Sequence, residues 1–339
     1  MGGRRTTGDP IIDIKRANGL PGFLGTLRRT FFDIFHAMTT TTIDGSSRPQ
    51  DWRERIATTP AWGGVLLCHP AHFDVLDVKN SFMKGQIGSV DKERALHQWH
   101  QLTETYRSLG VEVHVLDPIP DLEDMVFCAN PVCILPRADG GADVIPSHMN
   151  HPSRQREVEH VLGWFDGWGC DVTHLPEGAG RIEGHGDVLV VPARRLALGG
   201  HGGRTELRAL DALAAACDIT LIPLALQGDV FYHLDTCLAV LDEDTVLIHP
   251  PAFHEDALGT LSELFPRILI AEPTEASDHL AVNVHALADG TVVMGAQSPR
   301  TAARLREAGF HPATVDVSEF HKSGGSVFCM RLDVPALTR

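Results

Sequence analysis

Apolar positions along this chain alternate between two rhythms. Helical patterns begin near Asp91, Pro152, Arg204, His254 and Pro299, at intervals of 61, 52, 50 and 45 residues. Trp99, Leu102, Tyr106 and Leu109 share one stripe, which stops at Gly110. Val158, Val161, Leu162 and Phe165 form another behind Pro152, a residue suited to a first helical turn. These stripes, and the pair Trp164 and Trp168, predict core packing rather than ligand contacts. Each helical pattern leads into a short apolar run: VEVHVLDP, CDVTHLPE, CDITLIPL, RILIAEP or ATVDVSEF. Two short strands then follow a polar connection. The predicted pairs are FCANP with VCILP, GDVLVV with RRLALG, TCLAVL with TVLIHP, and LAVNVHAL with GTVVMG. Strict alternation is clear only in LAVNVHAL. The fifth unit offers SVFCMRL alone, and its missing partner is GGVLLCHP at residues 63–70. An early strand is therefore expected to complete the last unit. A helix–strand–hairpin unit cannot bury its apolar faces by itself, whereas five arranged around an axis can. A dinucleotide-binding reading is weak, because GGHGGRTE lacks the strand-to-helix context of a phosphate-binding turn.

The first sixty residues break this rhythm. They hold nine Lys/Arg against six Asp/Glu, a net of +3, while the whole 339-residue chain carries −15. Phe23, Leu24, Leu27, Phe31, Ile34, Phe35 and Met38 recur there at helical spacing. The segment is expected to be an extension, residues 1–60, with an amphipathic helix near 23–38. Its polar face has too few cations for a good membrane anchor, so docking on its own domain or on a partner subunit in a homo-oligomer is favoured. Residues 61–339 are expected to form one domain. The acidic balance argues against a nucleic-acid footprint. No stretch of about 20 apolar residues is present to span a membrane, and no secretory leader is evident. Seven irregularly spaced cysteines suit reduced thiols in a cytoplasmic protein better than a disulfide scaffold.

Three places concentrate chemistry. In DLEDMVFCANP (121–131), Asp124 is expected just before a strand and Asn130 just after its middle. Carboxylates there could hold a planar cation with several N–H donors, such as guanidinium; a solvated loop with Asx turns is the plain alternative. In RIEGHGDVLVV (181–191), Glu183 and Asp187 flank two glycines that allow a close backbone approach. His185 between them suggests a metal only weakly, since 19 histidines make chance neighbours common. The third place joins FYHLDT (231–236) to SEFHKSGGSVFCM (318–330). His233 and Asp235 would share a strand face, and Cys329 would lie in the last inner strand. A cysteine and a histidine with acids nearby are the components of covalent catalysis, although single cysteines are usually buried fillers.

Together these strings resemble the guanidine-modifying enzyme superfamily, which includes arginine deiminases, dimethylargininases, arginine dihydrolases and amidinotransferases. LCHPAHFDV, DMVFCAN, EGHGD, GGRTE, FYHLDT, EAS, VN and SEFHKSGGSVFCM occur in the family's order across residues 65–332. The resemblance is nearest to the dimethylargininase and dihydrolase branch. It implies a pseudo-symmetric five-bladed α/β propeller around a polar central pocket, in agreement with the five units. It implies Cys329 as nucleophile, His233 as general acid and base, and Glu183 as the carboxylate that positions guanidinium and histidine. Asp124 and Asp235 resemble guanidinium-binding carboxylates, and Arg204 the arginine that takes an α-carboxylate. Asn130 matches the asparagine of the dihydrolase branch. Two strings depart from the family: KNSFM (79–83) replaces INPWM, and QGDVFYH (227–233) replaces DPRFYH. The implied activity is hydrolysis of guanidinium C–N bonds in free arginine or a close derivative, with no metal or organic cofactor. Transfer of the amidino group to an amine, and a binding protein that has lost catalysis, are the rival readings.

Overall fold

One connectivity recurs: two antiparallel strands, a helix, and a third strand that returns parallel to the second. The computed structural model describes residues 11–13, 62–137, 141–166, 168, 170–217 and 219–335. After β1 (Ile11–Asp13) come β2 (Trp62–Cys68), α1 (Lys92–Ser108) and β3 (Val113–Leu116). Next are β4 (Val132–Pro136), β5 (Ala142–Pro146), α2 (Pro152–Trp164) and β6 (Asp171–Val172). The third unit holds α3 (Gly184–Asp187), β7 (Val188–Val191), β8 (Leu196–His201), α4 (Leu207–Ala216) and β9 (Thr220–Ala225). The fourth holds β10 (Leu238–Val240), β11 (Thr245–Ile248), α5 (Glu255–Leu264) and β12 (Arg267–Ile270). The fifth begins with α6 (Pro273–His279), β13 (His285–Ala286), β14 (Thr291–Gly295), α7 (Pro299–Glu307) and β15 (His311–Val315). Finally, α8 (Ser318–His321) leads to β16 (Arg331–Pro335). A parallel partner needs a long crossover, and the five amphipathic helices supply it.

The last strand returns to the first unit. β16 lies antiparallel to β2, with Arg331 opposite Leu67 and Leu332 opposite Leu66, and β2 runs parallel to β3. The pairing of SVFCMRL with GGVLLCHP is therefore present. Each sheet also shares a core with the next. Leu66, Leu332, Ile134 and Val144 join the β16–β2–β3 sheet to β4–β5–β6. Cys133, Ile145, Val188 and Ala197 join that sheet to β7–β8–β9, and Leu198, Leu224, Leu238 and Val246 continue to β10–β11–β12. Leu247, Leu269, Val292 and Met294 lead on to β13–β14–β15, and Val293, Val315, Val65 and Leu67 complete the cycle. Middle strands are covered on both faces: every residue of β5 and β14 is buried. That is why they read as continuous apolar runs rather than alternating ones.

The helical stripes pack as expected. Trp99, Leu102 and Tyr106 are buried, as are Val158, Val161 and Phe165. Trp164 and Trp168 stack with ring centroids 4.6 Å apart, against the core of the first two sheets. Glu275 of the EAS string is structural: its carboxylate accepts the Arg300 and Thr301 N–H groups at the start of α7. All seven cysteines are free. No helix among the described residues is long and apolar enough to cross a membrane. The predicted helix near 23–38 lies outside the described residues. Within that expected extension, β1 pairs antiparallel with the outer edge of β12.

Four strand expectations fail, all beside the chemistry-bearing strings. FCANP forms turns, and the hairpin is VCILP with ADVIP. Phe127 N–H bonds to the Asp124 carbonyl and Ala129 N–H to the Cys329 carbonyl, so neither enters a ladder. In LAVNVHAL only His285 and Ala286 pair. FYHLDT is not extended throughout: a 3-10 turn spans Leu234–Thr236 after His233. Cys329 precedes the last strand, in a turn closed by Met330 N–H on the Ser326 carbonyl. α4 also begins at Leu207 rather than near Arg204.

Leu332 is fully buried at the closing joint. Leu332→Ala is expected to destabilise the protein by about 2–5 kcal/mol in a urea titration. A loss below about 1 kcal/mol would mean that the joint carries little of the fold's stability.

Candidate active site

The loops before the first strands of several sheets converge on one cleft. Cys329, His233, Asp124, Asn130 and Arg204 are among its lining residues. Five of the seven sequence-predicted residues thus meet on its wall. Glu183 and Asp235 lie behind it, bonded to His233 and Cys329 respectively.

Cys329 is held from two sides. Its Sγ lies 3.1 Å from Asp235 Oδ2, to which the thiol donates, and 3.1 Å from the donating Asn283 Nδ2. Asn283 Oδ1 accepts from the Cys329 backbone N–H, and Asn283 Nδ2 also reaches the Asp235 carbonyl. This asparagine therefore fixes both partners; its only trace in the sequence was the short string VN. Burial pushes the Cys329 thiol far above its ordinary range, and the Asp235 charge adds to the shift. Burial likewise raises Asp235 to about 7, against the hydrogen bonds from Cys329 and Asn283. Both shifts favour the protonated forms of the pair. Asp235 Oδ1 is buried without a hydrogen-bond partner.

His233 Nε2 lies 2.6 Å from Glu183 Oε2. Glu183 is fully buried, and Arg204 Nη1 donates to the same oxygen at 3.2 Å while Asn150 N–H caps Oε1 at 2.7 Å. Burial opposes its ionisation, but the His233 bond and charge, with Arg204 and Arg154, outweigh it and hold Glu183 near about 2. Asp187 sets the loop that carries His233: its Oδ1 accepts Leu234 N–H at 3.0 Å and its Oδ2 the Thr205 hydroxyl at 2.7 Å. Burial raises Asp187 to about 6.

The glycines of EGHGD allow this approach. Gly184 has φ +52°, and a Cβ there would meet the Val132 carbonyl oxygen at 2.4 Å. A Cβ on Gly186 would fall 2.4 Å from Asn130 Nδ2 and 3.1 Å from the His233 ring. His185 faces the sheet instead: its Nε2 accepts Ile134 N–H and its Nδ1 bonds the Val188 carbonyl. It is a core histidine whose two nitrogens are spent on backbone. Among the described residues, no three His, Cys, Asp or Glu side chains are grouped to hold a metal ion.

Arg204 is neither a solvent-facing helix residue nor an exposed rim cation. It is buried, lies over the Tyr232 ring at 5.0 Å, and donates to Glu183 and to the Lys79 carbonyl. Two further cations on the wall, Arg154 and Lys79, were missed by sequence reasoning. Arg154 donates to Glu157 through Nε and Nη2 and, through Nη1, to Asn130 Oδ1 at 3.0 Å. That contact leaves the Asn130 Nδ2 group buried without a partner. The Arg154–Glu157 spacing of three reads in sequence like an ordinary surface pair on a helix; only tertiary packing buries it.

A buried thiol beside a carboxylate, a histidine–glutamate pair and an acid-and-amide wall, set among five repeated sheets, define a cysteine-dependent hydrolase of guanidino groups. The sequence model of the N,N-dimethylarginine dimethylhydrolase (eukaryotic) family matches residues 69–335, and the chain belongs to that family. It is 36% identical over 279 residues to a dimethylarginine dimethylaminohydrolase of Mycobacterium tuberculosis, covering 81% of this chain and 87% of the relative. It is 33% identical over 274 residues to the bifunctional arginine dihydrolase/ornithine cyclodeaminase ArgZ of Synechocystis, covering 80% of this chain but only 37% of that protein. The solved N-terminal domain of ArgZ, covalently bound to a reaction intermediate, superposes with a TM-score of 0.74 at 32% identity, over 81% of this chain and 99% of that one.

Removing the Glu183 charge tests the electrostatics. Its folded pKa lies below the ordinary 4.5, so its stabilisation is whole above about 4.5 and is lost as pH falls toward about 2. Glu183→Gln is therefore expected to flatten the acid limb of stability. Between pH 5 and 3 the wild type should lose roughly 2 kcal/mol more than the variant. Parallel curves in urea titrations would show that Glu183 is not held ionised by its neighbours.

Proposed function

We propose that this protein hydrolyses a guanidinium C–N bond of free arginine or a close derivative through an amidino intermediate on Cys329. The observation that carries the reading is the thiol of Cys329 at 3.1 Å from Asp235, in the same cleft as the His233–Glu183 pair. In this reading the five sheets are blades of a pseudo-symmetric propeller, and residues 61–339 form one catalytic domain. Free thiols suit a reducing cytoplasm.

A guanidinium carbon is a poor electrophile, so its orientation matters. Asp235 Oδ1 is a buried acceptor without a hydrogen-bond partner, which a guanidinium N–H group would satisfy, and Asp124, held by Lys79 and Ser323, keeps lone pairs for a second N–H group. The arriving cation favours loss of the thiol proton, which burial alone opposes, and neutral His233 takes up that proton. The thiolate then attacks the guanidinium carbon, and the C–N π electrons move to nitrogen. His233, held by Glu183, gives a proton to the departing nitrogen, so the group leaves as a neutral amine. A planar thiouronium remains on Cys329. Neutral His233 takes a proton from water, the hydroxyl adds to the same carbon, and the C–S bond breaks to release a urea-type product. Arg204, a cation on the wall, suits the α-carboxylate of a free amino acid.

A second hydrolysis, leaving an amine on the carbon chain, is favoured by one observation. Asn130 lines the cleft with a buried, unpartnered amide donor, and Arg154 holds its other atom. That donor could hold the oxygen of the first product for a further attack.

Incubation with arginine, methylated arginines and agmatine, with separate assays of ammonia, methylamine, citrulline and ornithine, decides among these outcomes. Turnover of arginine or a methylated arginine is expected. Ornithine as the end product would select the double hydrolysis, and citrulline the single one. His233→Ala should lower kcat by roughly 10² to 10⁴. A folded variant with near wild-type turnover would remove histidine from the proton transfers.

A further inference from the structure

The string KNSFM puts a lysine into the cleft wall. Lys79 Nζ lies 2.6 Å from Glu123 Oε1, 3.0 Å from Asp124 Oδ2 and 2.5 Å from Asp77 Oδ1. Its side chain is 3% exposed, those of Glu123 and Asp124 are 8% and 2% exposed, and Asp77 is half exposed. We propose that Lys79 is a positioning residue that keeps Asp124 a charged, correctly aimed acceptor for the substrate's guanidinium.

Two carboxylates adjacent in sequence and both buried repel each other. Without a counter-ion one of them takes up a proton, and a protonated Asp124 loses its charge and an acceptor site. The charges facing Asp124 are Lys79 and Asp77 on one loop, neighbouring Glu123, and Arg154 with Glu157 on α2. Arg154 is largely spent elsewhere: it donates to Glu157 and reaches only the backbone carbonyl of Asp124. Lys79 is thus the cation in contact with the Asp124 carboxylate. Its ammonium bridges the two buried carboxylates, with Glu123 Oε1 at 2.6 Å and Asp124 Oδ2 at 3.0 Å. The Ser323 hydroxyl holds the other oxygen, Oδ1, at 3.1 Å. Each oxygen is thus held by one partner, which fixes the carboxylate's orientation and leaves lone pairs for an incoming N–H donor. The lysine backbone meanwhile accepts from Arg204 Nη2 at 2.7 Å, so the same residue ties the acidic wall to the opposite side of the cleft.

This inference rests on the guanidine-hydrolase reading. Its test is a set of variants, Lys79→Met, Lys79→Arg and Asp124→Asn, with kcat and KM for arginine measured from pH 6 to 9. Arginine binding is measured calorimetrically in the Cys329→Ser background. K79M is expected to raise KM about tenfold or more at pH 7, with kcat changing less, and to recover in part toward pH 9 as the carboxylates ionise. K79R should retain most of the wild-type KM, and K79M/D124N should be little worse than D124N alone. A K79M profile matching the wild type would overturn the proposal. So would an equal loss at every pH that K79R fails to restore, since that is the mark of a merely structural lysine. If C329S binds no guanidine and the wild type turns none over, the functional reading falls and this proposal with it. Wild-type turnover with an unchanged K79M rejects the lysine's role alone.

Discussion

Closure is the constraint on which the rest of the structure depends. Each helix–strand–hairpin unit has apolar surface on two sides, so an open row would leave one face bare at each end. The return of Arg331–Pro335 to Trp62–Cys68 removes both ends at once. It also sets where the chemistry falls. Cys329 stands two residues before the closing strand, and Asn283 two residues before β13. Asp124 and Asn130 precede β4, and His233 and Asp235 precede β10. Loops that are far apart in sequence enter one cleft because the strands behind them are arranged in a cycle.

The cleft concentrates charge in a poorly hydrated space, and it does so by pairing. Glu183 is matched with His233 and Arg204, Glu157 with Arg154, and Glu123 and Asp124 with Lys79. Unpaired, each of these buried groups would neutralise or destabilise the fold. The exceptions are informative. Asp235 Oδ1 and Asn130 Nδ2 are buried polar atoms without hydrogen-bond partners. Such atoms are costly to keep unless a ligand completes them. One is an acceptor and the other a donor, a set suited to a cation that becomes a neutral urea-type product.

Much of this was legible in the residues. The five helices follow from periodicity, and the early partner of the last strand follows from a missing member in a repeated pattern. Family order brought Cys329, His233, Glu183, Asp124, Asn130, Arg204 and Asp235 together, and the structure gathers them at one cleft. Local conformation beside the chemistry was not legible. FCAN has the composition of a strand, yet its N–H groups bond to Asp124 and Cys329 carbonyls as the loop turns inward. The Cys329 segment likewise turns before it pairs. Apolar composition reports burial, and burial is common to strands and to inward-facing turns. Lys79 and Arg154 were missed for a related reason. Each sits beside acidic residues in sequence and looks like a solvated ion pair, and only long-range packing removes the solvent.

The central claim is that bond cleavage passes through Cys329. Acid quenching of the protein during steady-state turnover of arginine, followed by peptide mass mapping, tests it most directly. The account predicts a transient mass increment corresponding to the amidino adduct on the peptide that contains Cys329, absent from Cys329→Ser and lost when substrate is exhausted. Steady turnover with unmodified Cys329, or with the adduct on Cys68, Cys128 or Cys237 instead, would contradict it.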